Sequence, residues 1–148
     1  MNRLIVYGDI HGCFDEYVDL RNSLDIQSGD IEACVGDILT KGKDSLKTLR
    51  YIQKNNIQSV LGNHEDKLLR YIENSQISKI NPITLDEDEQ SIINDLNSND
   101  IQFLKNLPLF IKFESITILH GGLLNEQRLD SLTKKDKEDL TFVLSEKI

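Results

Sequence analysis

Short apolar segments alternate with amphipathic segments along the first half of the chain. Segments 3–8, 31–36 and 57–62 contain Ile and Val and end in glycine, which predicts three short buried strands. Apolar residues at helical spacing predict helices over 13–24, from Asp44 or Ser45 onward, and after residue 62. This repeated alternation predicts an α/β fold with a parallel sheet and crossover helices.

The second half has a different pattern. Residues 84–108 predict two short helices ended by Pro108, and the acidic run 86–89 is expected to be a solvated first helical turn. Segments 109–113 and 115–121 predict two adjacent strands joined by a tight turn. Thr133 and Asp136 resemble a capping box that opens a final helix.

Composition fits one globular domain, residues 1–148, of 39% hydrophobic and 28% charged residues. The net charge of −8 argues against general nucleic-acid binding and against anionic membranes. It leaves a phosphorylated substrate open, because a metal can supply positive charge locally. The N-terminus has neither an export signal nor a membrane span, so we expect a cytoplasmic protein with Cys13 and Cys34 reduced.

Polar clusters follow four of the predicted strands. They occur in the motifs GDIHG (8–12), GDILTKG (36–42), GNHE (62–65) and HGG (120–122), which contain all three histidines of the chain. Carboxyl ends of parallel strands share one edge of a sheet, so these clusters are expected to converge there. Their carboxylate, amide and imidazole groups suit Mn, Fe or Zn. The clustered residues are Asp9, His11, Asp37, Asn63, His64 and His120.

Two nucleotide-binding alternatives have little support. The segment GDILTKGKDS suggests a P-loop, but Gly36 and Gly42 are separated by five residues rather than four. Asp44 stands where that motif requires Ser or Thr, so the P-loop is rejected. A nucleotide-binding α/β domain without catalysis also lacks a GxGxxG motif.

The four motifs, in this order, resemble the calcineurin-like metallophosphoesterase superfamily from residue 4 to about residue 124. The segments GDIHGCFDEYVDL, KGKDSLKTLRYI and NEQRLDSL are similar to its phosphoprotein phosphatase branch, and most to the symmetrical diadenosine tetraphosphatases. The resemblance implies a β-sandwich flanked by helices. It also implies two divalent metal ions, manganese being expected first and Fe, Zn or Ni being alternatives.

The resemblance also implies roles for the clustered residues. Asp9, His11 and Asp37 would hold the first metal, and Asp37 would bridge to a second one. Asn63 and His120 would complete that second site. A hydroxide between the ions would attack phosphorus in line.

Substrate contacts and proton transfer follow from the same resemblance. His64 would be the catalytic proton donor to the leaving oxygen, together with Asp37 as the catalytic bridging ligand. Asn63 and Lys41 would contact the substrate phosphate.

Three departures from the family pattern bear on these roles. Thr40 replaces the Asp that orients the catalytic histidine, and Lys41 replaces an Arg that grips phosphate. No fourth histidine supplies the family's downstream ligand, so the second metal site is expected to be weak. The C-terminal part of the second sheet is also expected to be missing. The chain would then be truncated, naturally short, or completed by a partner such as a second copy.

The sequence therefore favours a metal-dependent hydrolase of phosphoester or phosphoanhydride bonds. A dinucleoside polyphosphate or a phosphoprotein is the expected substrate, on the resemblance alone. The alternative is a metal- or phosphate-binding regulatory module with impaired turnover, which the missing histidine and Thr40 suggest.

Overall fold

The computed structural model describes residues 3–78 and 80–122 and confirms a mixed α/β fold. The predicted final helix from Thr133 lies outside the described residues. The strands are β1 (Leu4–Tyr7), β2 (Ile31–Cys34), β3 (Gln58–Ser59), β4 (Phe110–Phe113) and β5 (Ile116–Leu119). The helices are α1 (Phe14–Ser23), α2 (Ser45–Lys54), α3 (Asn63–Ile77), α4 (Glu87–Asp95) and α5 (Ser98–Asn106).

The first three strands form a parallel sheet in the order β1-β2-β3, so that β2 is central. Tyr7 pairs with Cys34, and Cys34 pairs with Ser59. The third strand is shorter than the predicted 57–62, because the N–H of Leu61 donates to the carbonyl of Pro108 at 2.8 Å. The chain leaves the sheet there and enters the turn that precedes α3.

The fourth and fifth strands form the predicted antiparallel hairpin, with Phe110 opposite Leu119. Ile118 of this hairpin packs with Ala33 and Val60 in a small buried cluster. Cys34, which points to the opposite face of the sheet, belongs to the larger core beneath the helices. Burial raises the pKa of the Cys34 thiol to about 12, in keeping with its predicted place in the core.

The acidic run 86–89, which forms the N-cap and first turn of α4, is only partly solvated, and this corrects the prediction. Asp86 caps α4 by accepting the N–H of Glu89 at 2.8 Å, as expected of a helix start. Glu89, however, is 3% exposed, and its carboxylate accepts from Lys67 Nζ at 2.6 Å. Asp88 accepts the backbone N–H of Lys41 at 3.1 Å, so this end of α4 supports the loop that follows β2.

Among the described residues, no helix is both long enough and apolar enough to cross a membrane.

Candidate metal centre

The carboxylate of Asp37 lies at the meeting point of all three histidines. Its Oδ2 is 3.7 Å from Nε2 of His11, 4.0 Å from Nε2 of His64 and 3.6 Å from Nε2 of His120. Asp37 is 3% exposed, and it follows β2, the central strand. The structure therefore brings together residues that are 109 positions apart, at the sheet edge where the sequence predicts a site.

Two of the imidazoles are oriented by backbone carbonyls. Nδ1 of His11 lies 3.1 Å from the carbonyl of Leu39, and Nδ1 of His120 lies 2.8 Å from that of Val35. An N–H donated to each carbonyl leaves an Nε2 lone pair on each ring, within 3.7 Å of the Asp37 carboxylate. This arrangement fixes the tautomer and ring orientation of metal-ligating histidines.

The contact between His120 and Asn63 tests whether these residues suit a metal. Nε2 of His120 lies 2.9 Å from Oδ1 of Asn63. When the ring hydrogen is on Nδ1, Nε2 of His120 carries a lone pair, and a cation beside it would be coordinated by that nitrogen and by Oδ1 of Asn63. Both atoms are ordinary ligands for a borderline divalent metal, so the residues fit the ion that the sequence predicts.

Asp9 joins the cluster at its outer edge. Its Oδ2 is 3.9 Å from Nε2 of His11, and its side chain is half exposed. The ligand atoms of His11, Asp37 and His64 form the tighter group, since all lie within 4.8 Å of one another. Every predicted ligand therefore lies in one cluster. His64, the predicted proton donor, is 4.0 Å from Asp37, slightly farther than His11 at 3.7 Å and His120 at 3.6 Å.

Glu65 is the site residue that sequence reasoning missed. It is fully buried, and its carboxylate accepts the backbone N–H groups of Asp37 at 2.9 Å, Leu39 at 2.9 Å and Gly62 at 3.2 Å. Burial raises the pKa of Glu65 to about 7, although the hydrogen bonds from Leu39 and Asp37 act in the opposite direction. The sequence did offer one indication of this role. Glu65 lies in the first turn of α3, where acidic side chains commonly accept hydrogen bonds from free backbone N–H groups.

The loops after β1 and β2 are joined by backbone hydrogen bonds. His11 N–H donates to the carbonyl of Asp37 at 2.9 Å, and Gly42 N–H donates to the carbonyl of His11 at 2.7 Å. Four residues here adopt positive φ without being glycine: His11 at 48°, Asp37 at 49°, Thr40 at 72° and Lys41 at 63°. Backbone held in this region concentrates at functional sites, where the surroundings enforce it.

Gly62 allows the turn before α3 to approach the loop of Asp37. A Cβ on Gly62 would lie 2.2 Å from the backbone nitrogen of Asp37 and 2.3 Å from its Oδ1. The glycine of the GNHE motif is therefore needed for space.

His64 is held by Thr40. Oγ1 of Thr40 lies 2.9 Å from Nδ1 of His64, so Thr40 occupies the orienting position that the sequence assigns to it. Burial lowers the pKa of His64; the negative charge of Asp37 opposes this, and the positive charge of Lys41 adds to it.

Lys41 points into the cluster. Its Nζ lies 2.9 Å from Nε2 of His11, although the residue is exposed overall. The ammonium group is therefore at the open side of the site, where an incoming anion would meet it.

The fold and this set of donors define the metallophosphoesterase class. The sequence model of the calcineurin-like phosphoesterases matches residues 2–146, and the chain belongs to that family. The resemblance inferred from the motifs is thereby confirmed.

Curated relatives include two kinds of dinucleoside tetraphosphatase. The symmetrical bis(5'-nucleosyl)-tetraphosphatase of Wigglesworthia glossinidia brevipalpis is 34% identical over 140 residues, covering 88% of this chain and 48% of the relative. The asymmetrical bis(5'-nucleosyl)-tetraphosphatase of Halalkalibacterium halodurans is 27% identical, covering 94% of this chain and 63% of the relative. The chain spans about half the length of the first of these relatives.

Solved structures agree on the fold. One crystal structure, whose assignment as a diadenosine tetraphosphatase is itself inferred, has a TM-score of 0.73 and 27% identity; the match covers 89% of this chain and 55% of the other. A protein serine/threonine phosphatase from Saccharomyces cerevisiae has a TM-score of 0.55 and 24% identity, covering 92% and 45%. At that identity the second likeness concerns the fold alone.

Proposed function

We propose that this chain carries the metal centre of a hydrolase that cleaves dinucleoside polyphosphates. The observation that carries the proposal is the position of Asp37, whose Oδ2 lies within 4.0 Å of a nitrogen of His11, His64 and His120. A carboxylate that bridges two metal ions must lie next to the other ligands of both ions, and Asp37 lies next to all three imidazoles.

The chain would hold two divalent ions, manganese being the first candidate. Asp9, His11 and Asp37 would bind one ion, while Asp37, Asn63 and His120 would bind the other. Bound there, the ions would activate water and neutralise phosphate charge.

The remaining residues would bind and protonate the substrate. Lys41, at the open side, would attract the phosphate as a point charge. His64, oriented by Thr40, would give a proton to the leaving oxygen. Asn63 would add an amide contact to the phosphate beside its ligand role.

The substrate class rests on the relatives. Both the symmetrical and the asymmetrical tetraphosphatase are similar to this chain over most of its length. Phosphoprotein is the weaker candidate, because the serine/threonine phosphatase supports the fold only.

Hydrolysis of diadenosine tetraphosphate in the presence of manganese tests the proposal, with products separated by chromatography. Two ADP indicate symmetrical cleavage, and ATP with AMP indicates asymmetrical cleavage. Asp37→Asn should abolish turnover, and His64→Asn should lower it about 10²–10⁴-fold. Asp19→Asn, an exposed acid on α1, is the matched control and should leave turnover unchanged.

Tight manganese binding without hydrolysis of diadenosine tetraphosphate or of any phosphate ester would contradict the proposal. That outcome would favour the alternative, a regulatory module that binds metal.

A further inference from the structure

Three consecutive backbone N–H groups in the loop after β2 are held by three different parts of the fold. The N–H of Thr40 donates to Oγ of Ser45 at 2.9 Å, at the start of α2. The N–H of Lys41 donates to Oδ2 of Asp88 at 3.1 Å, on α4. The next N–H along the chain donates to a carbonyl in the loop after β1 at 2.7 Å. Of these three contacts, that of Lys41 is the one supplied by the second half of the chain.

The backbone of Lys41 needs such a contact. Its φ of 63° lies in the left-handed region, as does that of Thr40 at 72°, and side chains other than glycine rarely adopt it. Two such residues in succession cost free energy, so the surroundings must enforce them. The bond from Lys41 to the carboxylate of Asp88 is charge-assisted, and it is therefore stronger than a bond to a neutral acceptor.

The helical turn that carries Asp88 is fixed by the residues on either side of it. Asp86 caps α4 by accepting the N–H of Glu89 at 2.8 Å. Glu89 is 3% exposed and accepts from Lys67 Nζ at 2.6 Å, which fastens α4 to α3. Asp88 itself is exposed to water, but it loses little backbone freedom in forming its bond because the turn is already ordered.

The direction of the Lys41 side chain depends on this backbone conformation. Its Nζ lies 2.9 Å from Nε2 of His11, at the open side of the centre. In a right-handed conformation the side chain would start in another direction, and fewer of its rotamers would bring Nζ to the centre. A lysine offers phosphate a point charge without the geometry of an arginine fork, so its contribution depends on where that charge lies.

We propose that Asp88 positions the phosphate-binding ammonium of Lys41, by holding the backbone of that residue in the left-handed conformation. Asp88 is then a positioning residue that acts through Lys41, and the first turn of α4 sets how tightly the centre binds phosphate. This inference rests on the proposed function, in which Lys41 attracts the substrate, and it adds a residue 47 positions further along the chain.

The negative charge of Asp88 acts in the opposite direction. It repels an incoming anion, so removal of the charge alone should strengthen phosphate binding. Two variants separate the charge from the hydrogen bond. Asp88→Asn removes the charge and keeps an acceptor oxygen, whereas Asp88→Ala removes both. Glu87→Ala is the matched control, because Glu87 is an exposed acid in the same helical turn.

The first measurement needs neither metal nor substrate. Hydrogen exchange of the Lys41 amide, followed by NMR in chelator, reports whether the bond to Asp88 protects it. We expect Asp88→Ala to speed this exchange about tenfold, Asp88→Asn to change it less, and Glu87→Ala to leave it at the parent rate. Thermal unfolding checks that each variant folds.

The second measurement is the affinity for inorganic phosphate, by calorimetry on the manganese-loaded protein, together with steady-state hydrolysis of diadenosine tetraphosphate. We expect Asp88→Ala to weaken phosphate binding and to raise KM about 3–10-fold, with kcat within about twofold of the parent. Asp88→Asn should bind phosphate at least as tightly as the parent, and Glu87→Ala should not weaken binding. In a Lys41→Ala background, Asp88→Ala should cause no further loss of affinity.

Three outcomes would overturn the inference. Equal effects of Asp88→Ala and Glu87→Ala on amide exchange would show that Asp88 does not hold this backbone. A phosphate affinity that rises in Asp88→Ala as much as in Asp88→Asn would show that Asp88 acts through its charge alone. A further loss of affinity in the Lys41→Ala background would show that it acts through another group. A parent that binds phosphate but does not hydrolyse diadenosine tetraphosphate would refute the proposed function, and the affinity ratios would still decide this inference.

Discussion

The buried carboxylate of Glu65 accepts a hydrogen bond from the backbone N–H of Asp37 at 2.9 Å. The residue that presents its side chain to all three histidines is thus held from behind by a second acid, at the start of α3. The geometry of the loop that carries Asp37 in the candidate metal centre depends on this contact.

Glu65→Gln should destabilise the fold and weaken metal binding. The carboxylate oxygens accept from three backbone N–H groups, so an amide nitrogen in place of one oxygen sets a donor against a donor. We expect a loss of about 2–4 kcal/mol in the free energy of unfolding, measured with urea. Glu87→Gln, exposed at the start of α4, is the control. A Glu65→Gln variant as stable as this control would contradict the supporting role.

Gly62→Ala should disrupt the same loop by steric overlap. The added Cβ would lie 2.2 Å from the backbone nitrogen of Asp37, so one of the two segments must move. We expect a loss of more than about 2 kcal/mol in unfolding free energy. Gly8→Ala is a matched control, because a Cβ there has nothing within 4 Å, and equal effects of the two changes would disprove the explanation.

Asp37→Asn should reduce metal affinity more than Asp9→Asn does. Asp37 is buried among three imidazoles, whereas the side chain of Asp9 is half exposed at the edge of the cluster. We expect Asp37→Asn to lower the affinity for manganese by more than the roughly 10–100-fold that is usual when a residue supporting a ligand is removed. Manganese titration by calorimetry measures both. Retention of two bound ions by Asp37→Asn would refute a bridging role.

Arg21→Met should destabilise the protein in a pH-dependent way. Arg21 donates to both oxygens of Glu32 at 2.8 Å, and it holds the pKa of that carboxyl below its ordinary value against the effect of burial. Because the pKa of Glu32 is lower in the folded protein than its ordinary value of about 4.5, the ion pair stabilises the fold fully at pH values above 4.5. This stabilisation is lost as the pH falls through the pKa of Glu32 in the folded protein. We expect a loss of about 2 kcal/mol near pH 7 that shrinks below about pH 4.5.

Unfolding in urea at several pH values measures this loss. Arg70→Met is the control, since its pair with Asp66 lies within one helix near the surface and should contribute less than about 0.5 kcal/mol. A difference between parent and Arg21→Met that stays constant with pH would contradict the assignment to Glu32.

Sequence patterns predicted the sheet, the hairpin and the cluster of Asp37 with the three histidines. They succeeded because the carboxyl ends of parallel strands must share an edge, whatever the details of the loops. Burial of Glu65 and Glu89 was not predictable in this way. Each acid satisfies partners supplied by other segments, such as the N–H of Asp37 or the ammonium of Lys67, and these contacts exist only once the chain has folded.

The limits of the third strand were missed for a similar reason. Leu61 has the apolar character of a strand residue, but its N–H bonds to Pro108, 47 positions away along the chain. The motif placed Thr40 at the position that orients His64, but their hydrogen bond forms only once the loop after β2 and the start of α3 come together in the fold.

The backbone hydrogen bonds that join the loops of His11 and Asp37 have a thermodynamic consequence. Ligands on separate, mobile loops lose conformational freedom when an ion gathers them, and that lost entropy weakens the affinity. Here hydrogen bonds between backbone groups, which need no ion, tie the two loops together, and Glu65 ties them further to α3. Metal uptake should therefore involve small side-chain adjustments rather than folding, and amide hydrogens in this region should exchange slowly even in chelator.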